Sequence, residues 1–173
     1  MKEFLQGKWL GHPLHPIMVN LPTGLWPAAM VFDLIVYSGR LDSASNEALA
    51  TASFFAIAAG LLSTLSAIPT GLADWWDVKP DKPAWKIGVL HLTLNAFGTA
   101  VWLTNLAVRW SDPQSSVSTT ALTLSIVGTL LLAVAAYLGG FMVYEYGVGI
   151  ARHSKKKWRA IAQAGGAKLP PEK

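Results

Sequence analysis

Apolar residues fill this chain in four long blocks separated by three polar breaks. The blocks run from about Pro16 to Ser38, Glu47 to Ala73, Ala84 to Val108 and Ser118 to Tyr146. At 1.5 Å of rise per residue, a helix of each length crosses the roughly 30 Å of a bilayer's hydrocarbon core. The pattern predicts an all-α fold, a four-helix transmembrane bundle over residues 16–150. Pro22 and Pro27 should bend the first span, because each removes a backbone donor. Ser45 or Asn46 is expected to cap the second span, and Pro69-Thr70-Gly71 to loosen its far end. Within that span Ala56, Gly60, Ser63, Ala67 and Gly71 form a small-residue stripe that lets helices approach closely in lipid. Residues 1–15, with Lys2, Phe4, Lys8 and Trp9, read as an interfacial segment. Residues 151–173 read as a basic tail carrying Arg152, His153, Lys155, Lys156, Lys157 and Arg159.

Composition sharpens the class. Hydrophobic residues make up 52% of the chain and charged ones 14%, a balance of membrane proteins and not of soluble domains. There is no cysteine, so disulfides, iron–sulfur clusters ligated by this chain and covalent haem are excluded. The N-terminal residues lack the apolar core of a signal peptide, so no cleavage is expected. Four spans place both termini on one side. Lys2, Lys8, Lys79, Lys82, Lys86 and the tail fall on that side, against Arg40 and Arg109 on the other. The positive-inside rule then puts the N- and C-termini in the cytoplasm. The tail reads as an anchor on anionic lipid at the cytoplasmic face, where each basic residue contributes about 1 kcal/mol, and not as a nucleic-acid binder.

The chemistry-bearing stretch is Gly11-His12-Pro13-Leu14-His15-Pro16, at the mouth of the first span. Each histidine precedes a proline, which disfavours the α region, so a stiff, extended entrance is expected here. The topology brings these imidazoles to one leaflet with Asp74, His91, Tyr144 and Glu145, while the other leaflet holds Asp33, Asn105 and scattered hydroxyls. His91 lies inside an apolar run, where an ionisable group is a functional-site hypothesis by default. Asn95, Gly98 and Trp102 share its face at helical spacing. Simpler readings stand beside this one. An intramembrane histidine also serves as an interhelical hydrogen-bond partner, with Asn95 as a second strut. His12 and His15 also read as interfacial polar residues, and Asp74 and Glu145 as helix-end charges.

The leading expectation is one b-type haem near the cytoplasmic leaflet. Two neutral imidazoles from facing helices can hold haem iron. His15 and His91 would be the ligands, with His12 as substitute or support and Asn95 and Tyr144 nearby. Gly88, Gly98 and Gly140 would make room for the macrocycle, and Lys79 or Lys86 would meet its propionates. Such a protein would exchange electrons with quinone or a redox partner protein. Two other readings remain open: a non-catalytic accessory or scaffold subunit, and a divalent-metal or proton site built from His12, His15 and His91 with Asp74 or Glu145. No nucleophile–base pair or phosphate loop is present.

The motif residues also carry a likeness. Gly11-His12-Pro13-Leu14-His15-Pro16 with Pro22, Asp33, Gly71 with Asp74, His91 with Asn95, and Gly139-Gly140 with Tyr144, Gly147 and Gly149 resemble a family of bacterial four-helix membrane proteins, a domain of unknown function numbered 2231. The resemblance implies a multi-pass protein of the bacterial cytoplasmic (inner) membrane. It also implies company with redox chemistry, since relatives are sometimes joined to Rieske-type or cytochrome-type domains.

Overall fold

The structure, a computed structural model, describes residues 1–114 and 116–149. The basic tail, His153 included, lies outside them. All regular structure in the described residues is helical: α1 (Lys2–Leu5), a 3-10 turn (Lys8–Leu10), α2 (His15–Met18), α3 (Asn20–Tyr37), α4 (Ser43–Trp75), α5 (Pro83–Arg109) and α6 (Thr119–Tyr146). Four helices are long and apolar enough to cross a membrane, the first being α2 and α3 together, His15–Tyr37.

The first span is interrupted at Val19, between α2 and α3. Pro22 has no N–H to give the carbonyl of Met18, so the ladder breaks one turn before it. Thr23 repairs the next position, its amide and its hydroxyl both bonding the Val19 carbonyl, at 3.1 and 2.7 Å. His15 departs from the extended expectation: it opens α2, with Pro16 in the first turn. A proline there forfeits only a donor that the helix start leaves unpaired anyway.

The second span starts earlier than expected. α4 begins at Ser43, four residues early, because Asp42 caps it; its carboxylate accepts from the Ser45 amide at 3.0 Å and the Ser45 hydroxyl at 2.7 Å. Those bonds hold the exposed Asp42 carboxyl below its usual pKa range. Asn46 instead reaches back to the Leu41 carbonyl. The last helix, α6, stops at Gly147, left-handed at φ 66°, with the Val148 amide on the Met142 carbonyl. This is the glycine-terminated end that satisfies orphan carbonyls.

The bundle is square. α3 packs against α4 and α6, and α5 against the same two. The diagonal between α3 and α5 is filled by Trp26 stacked on Trp102, centroids 5.3 Å apart. Phe55, Leu62, Leu65, Phe97, Leu103 and Leu130 point outward, as lipid-facing residues do. The small stripe of α4 faces inward at Ala56, Gly60 and Ala67. A Cβ on Gly60 would stand 2.3 Å from the Trp26 indole nitrogen. Gly60→Leu should therefore cost about 1–3 kcal/mol by overpacking, while Leu62→Ala on the lipid face stays near neutral. Denaturant titrations in detergent check this; equal tolerance at both positions contradicts the assigned face.

Candidate functional site

At the end of the bundle that carries the N-terminus, the four spans enclose a mainly apolar cavity of about 360 Å³. That volume is in the range of small-molecule and cofactor sites. His15, Trp26, Asp74, His91, Asn95 and Tyr144 are among its lining residues.

The two half-buried histidines are held in the same manner. His15 Nδ1 lies 3.0 Å from the Ala67 carbonyl and 3.3 Å from the Thr70 hydroxyl. His91 Nδ1 lies 2.8 Å from the Ala135 carbonyl. A carbonyl only accepts, so both Nδ1 atoms carry the proton and both Nε2 atoms keep a lone pair. His15 Nε2 makes no hydrogen bond among the described residues, whereas His91 Nε2 accepts from the Asn95 amide at 3.2 Å. Asn95 Nδ2 is steadied by the carbonyl of His91 at 2.8 Å. Each ring also rests on a glycine: a Cβ at Gly71 would meet His15 at 2.7 Å, and one at Gly139 would meet His91 at 3.0 Å. Imidazoles whose Nδ1–H is tied to the main chain are the arrangement seen behind metal ligation, because it fixes tautomer and orientation together.

The other expected site residues are distributed unevenly. Asp74 is buried and lines the cavity, and Tyr144 borders it with an exposed ring. His12 and Glu145 are exposed and outside the lining. The main chain of His12 is held against Gly7: its amide bonds the Gly7 carbonyl at 3.3 Å, and a Cβ on Gly7 would stand 2.0 Å from the His12 carbonyl oxygen. Lys79 and Lys86 are exposed and do not line the cavity. Gly140 lines it. Gly88 lines it too, with the Trp75 indole seated against it, whereas Gly98 faces Leu131 and is not in the lining. Among the described residues no three of His, Asp or Glu gather closely enough to hold a metal ion. The divalent-metal set of His12, His15, His91, Asp74 and Glu145 is therefore not brought together.

A second polar cluster went unread in the sequence. At the opposite end Arg109, the last residue of α5, turns inward onto Asp33 of α3. Its Nη1 and Nη2 donate to Oδ1 and Oδ2 at 2.8 and 2.6 Å. Asn105 accepts from Arg109 Nε at 2.8 Å, Ser53 of α4 donates to Asp33 at 2.6 Å, and Ser125 of α6 donates to the other carboxylate oxygen. Every span contributes. Asp33 is fully buried and Arg109 is 8% exposed. Lone charges at the ends of two apolar blocks were the available signal, though pairing them needed the fold.

Comparison with curated proteins and with solved structures finds no match. Residues 11–152 match a family described as predicted membrane protein (DUF2231), which covers both histidine stretches and all four spans. The chain is a member of that family, a multi-pass membrane protein built as a four-helix bundle.

Proposed function

We propose that the protein binds one b-type haem in the cavity between His15 and His91 and passes electrons to quinone or to a redox partner. The observation that carries this reading is the matched pair of imidazoles. Each comes from a different span, each has Nδ1–H on a main-chain carbonyl, and both rings line one apolar cavity. The donor set suits an electrophile at Nε2. Haem held there by His15 and His91 would supply one-electron chemistry, with its potential tuned by the two imidazoles and the low-polarity walls. Asn95, whose amide donates to His91 Nε2, would give up that bond when His91 ligates and would not itself ligate. One cavity allows one haem, so partners on a single side of the membrane are expected.

Titrating the purified protein with haemin in mild detergent tests the reading. Wild type should bind one equivalent, and His91→Ala should lose the six-coordinate spectrum. Asn95→Leu, which removes the amide that occupies His91 Nε2, should keep haem and shift its potential. If His91→Ala titrates like wild type, the reading fails.

The site's side follows from charge. Lys2, Lys8, Lys79, Lys82 and Lys86 crowd its end, and Arg109 at the other end is matched by Asp33. We place the termini and the cavity on the cytoplasmic side of a bacterial inner membrane. Cysteines introduced singly at Ser43 and Ser116 should label with an impermeant thiol reagent on intact cells. Labelling only after lysis reverses the topology.

A further inference from the structure

The two polar clusters and the tryptophan pair share one spacing. His15, Trp26 and Asp33 on the first span lie 76 residues before His91, Trp102 and Arg109 on the third. On the second span Ser53, Gly60, Ala67 and Gly71 lie 68 residues before Ala121, Gly128, Ala135 and Gly139 on the fourth. The contacts repeat with the spacing. His15 bonds the carbonyl of Ala67 as His91 bonds that of Ala135. Gly71 seats His15 and Gly139 seats His91; Gly60 seats Trp26 and Gly128 seats Trp102. The eight-residue difference between the two offsets is absorbed at the far end, in the helix ends: α3 runs on past Asp33 to Tyr37 while α5 stops at Arg109, and α4 starts well before Ser53 while α6 starts just before Ala121.

Equivalent residues also meet each other. In a two-fold assembly a residue near the axis touches its own counterpart. Trp26 stacks on Trp102 with planes 18° apart, and Asp33 bonds Arg109 through both carboxylate oxygens. The close pairs are α3 with α4 and α5 with α6, and the crossing pairs are α3 with α6 and α4 with α5, as two hairpins joined about an axis require. Both hairpins run in the same direction, so the axis lies along the membrane normal, the parallel kind of internal repeat.

We infer that residues 15–74 and 91–142 are two copies of one helical hairpin folded as an intramolecular dimer, and that the cavity is a single site on their axis to which each copy gives one equivalent imidazole. The ligand would be one that accepts two like imidazole donors, as haem iron does; this part rests on the haem reading. The charges at the far end are the point where the copies have diverged. Two identical residues on the axis could not form an ion pair, and Asp33 with Arg109 can.

Two readouts test this. The first needs no haem. Asp33→Arg and Arg109→Asp, made singly, should each cut the folded fraction by about a hundredfold or more, the scale of a stranded buried charge. Made together they should restore a monodisperse protein, because equivalent positions accept exchanged partners. A double variant no better than the singles overturns the repeat. The second reads the cavity with haemin. His15→Ala and His91→Ala should each leave a five-coordinate species held by the one remaining imidazole. One variant behaving as wild type overturns the shared site while leaving haem binding intact. A wild type that takes no haem overturns the haem reading, and the charge exchange still decides the repeat.

Discussion

Arg109→Met destabilises the bundle by about 3–5 kcal/mol, the usual penalty for removing one partner of a buried ion pair. Asp33 is then a carboxylate with no exposure, left with only the hydroxyls of Ser53 and Ser125. Asn105 loses the guanidinium that its carbonyl oxygen holds, although its amide keeps Ser125 at 2.7 Å and the Ala121 carbonyl at 3.2 Å. The same physics predicts the opposite sign for the pair. Asp33→Leu combined with Arg109→Met removes both charges and their desolvation, and buried pairs replaced in this way are commonly neutral or more stable by about 1–4 kcal/mol. Denaturation in detergent followed by circular dichroism separates the three proteins. Additive losses in the double variant would show that the two residues do not act on each other.

Trp102→Ala costs about 3–5 kcal/mol, the range for emptying a large aromatic site. The indole is fully buried, lies against Gly128 and stacks on Trp26, which itself lines the cavity. Removing it frees Trp26 to tilt, so the cavity changes shape as well. Trp102→Phe should cost well under half as much. The Trp102 Nε1 proton has no hydrogen-bond partner among the described residues, whereas Trp26 reaches the Ile57 carbonyl at 3.4 Å. Phenylalanine gives up area but also removes a buried donor that is a liability. The same denaturation experiment orders wild type, Phe and Ala; an Ala variant as stable as Phe contradicts the role of the stack.

The four spans were legible because apolar length is a direct consequence of crossing a bilayer, and the convergence of His15 with His91 followed from counting crossings. The cap at Asp42 was misplaced by a few residues because Ser43, Ser45 and Asn46 are equally good cap formers by type, and only the bonds choose among them. His12 looked like a twin of His15 in the motif. The fold separates them: Gly7 and Gly11, with φ of 73° and 66°, turn the chain so that one ring faces outward while the other meets Ala67. The tautomers were beyond reach, because they are set by carbonyls of α4 and α6 dozens of residues away. Asp33 and Arg109 are 76 residues apart, and nothing local links them. The internal repeat was written in the spacing, but Asp against Arg and Ser against Ala conceal it until the contacts are compared.

The visible absorption spectrum of the protein purified in mild detergent from haem-supplied cells, recorded oxidised and then reduced, tests the central claim most directly. The account predicts a coloured protein whose reduced form shows the sharp, split bands of six-coordinate low-spin haem with two imidazole ligands. A colourless protein that stays colourless on addition of haemin contradicts it, and leaves His15 and His91 as hydrogen-bonded struts of a bundle whose role is to hold a partner.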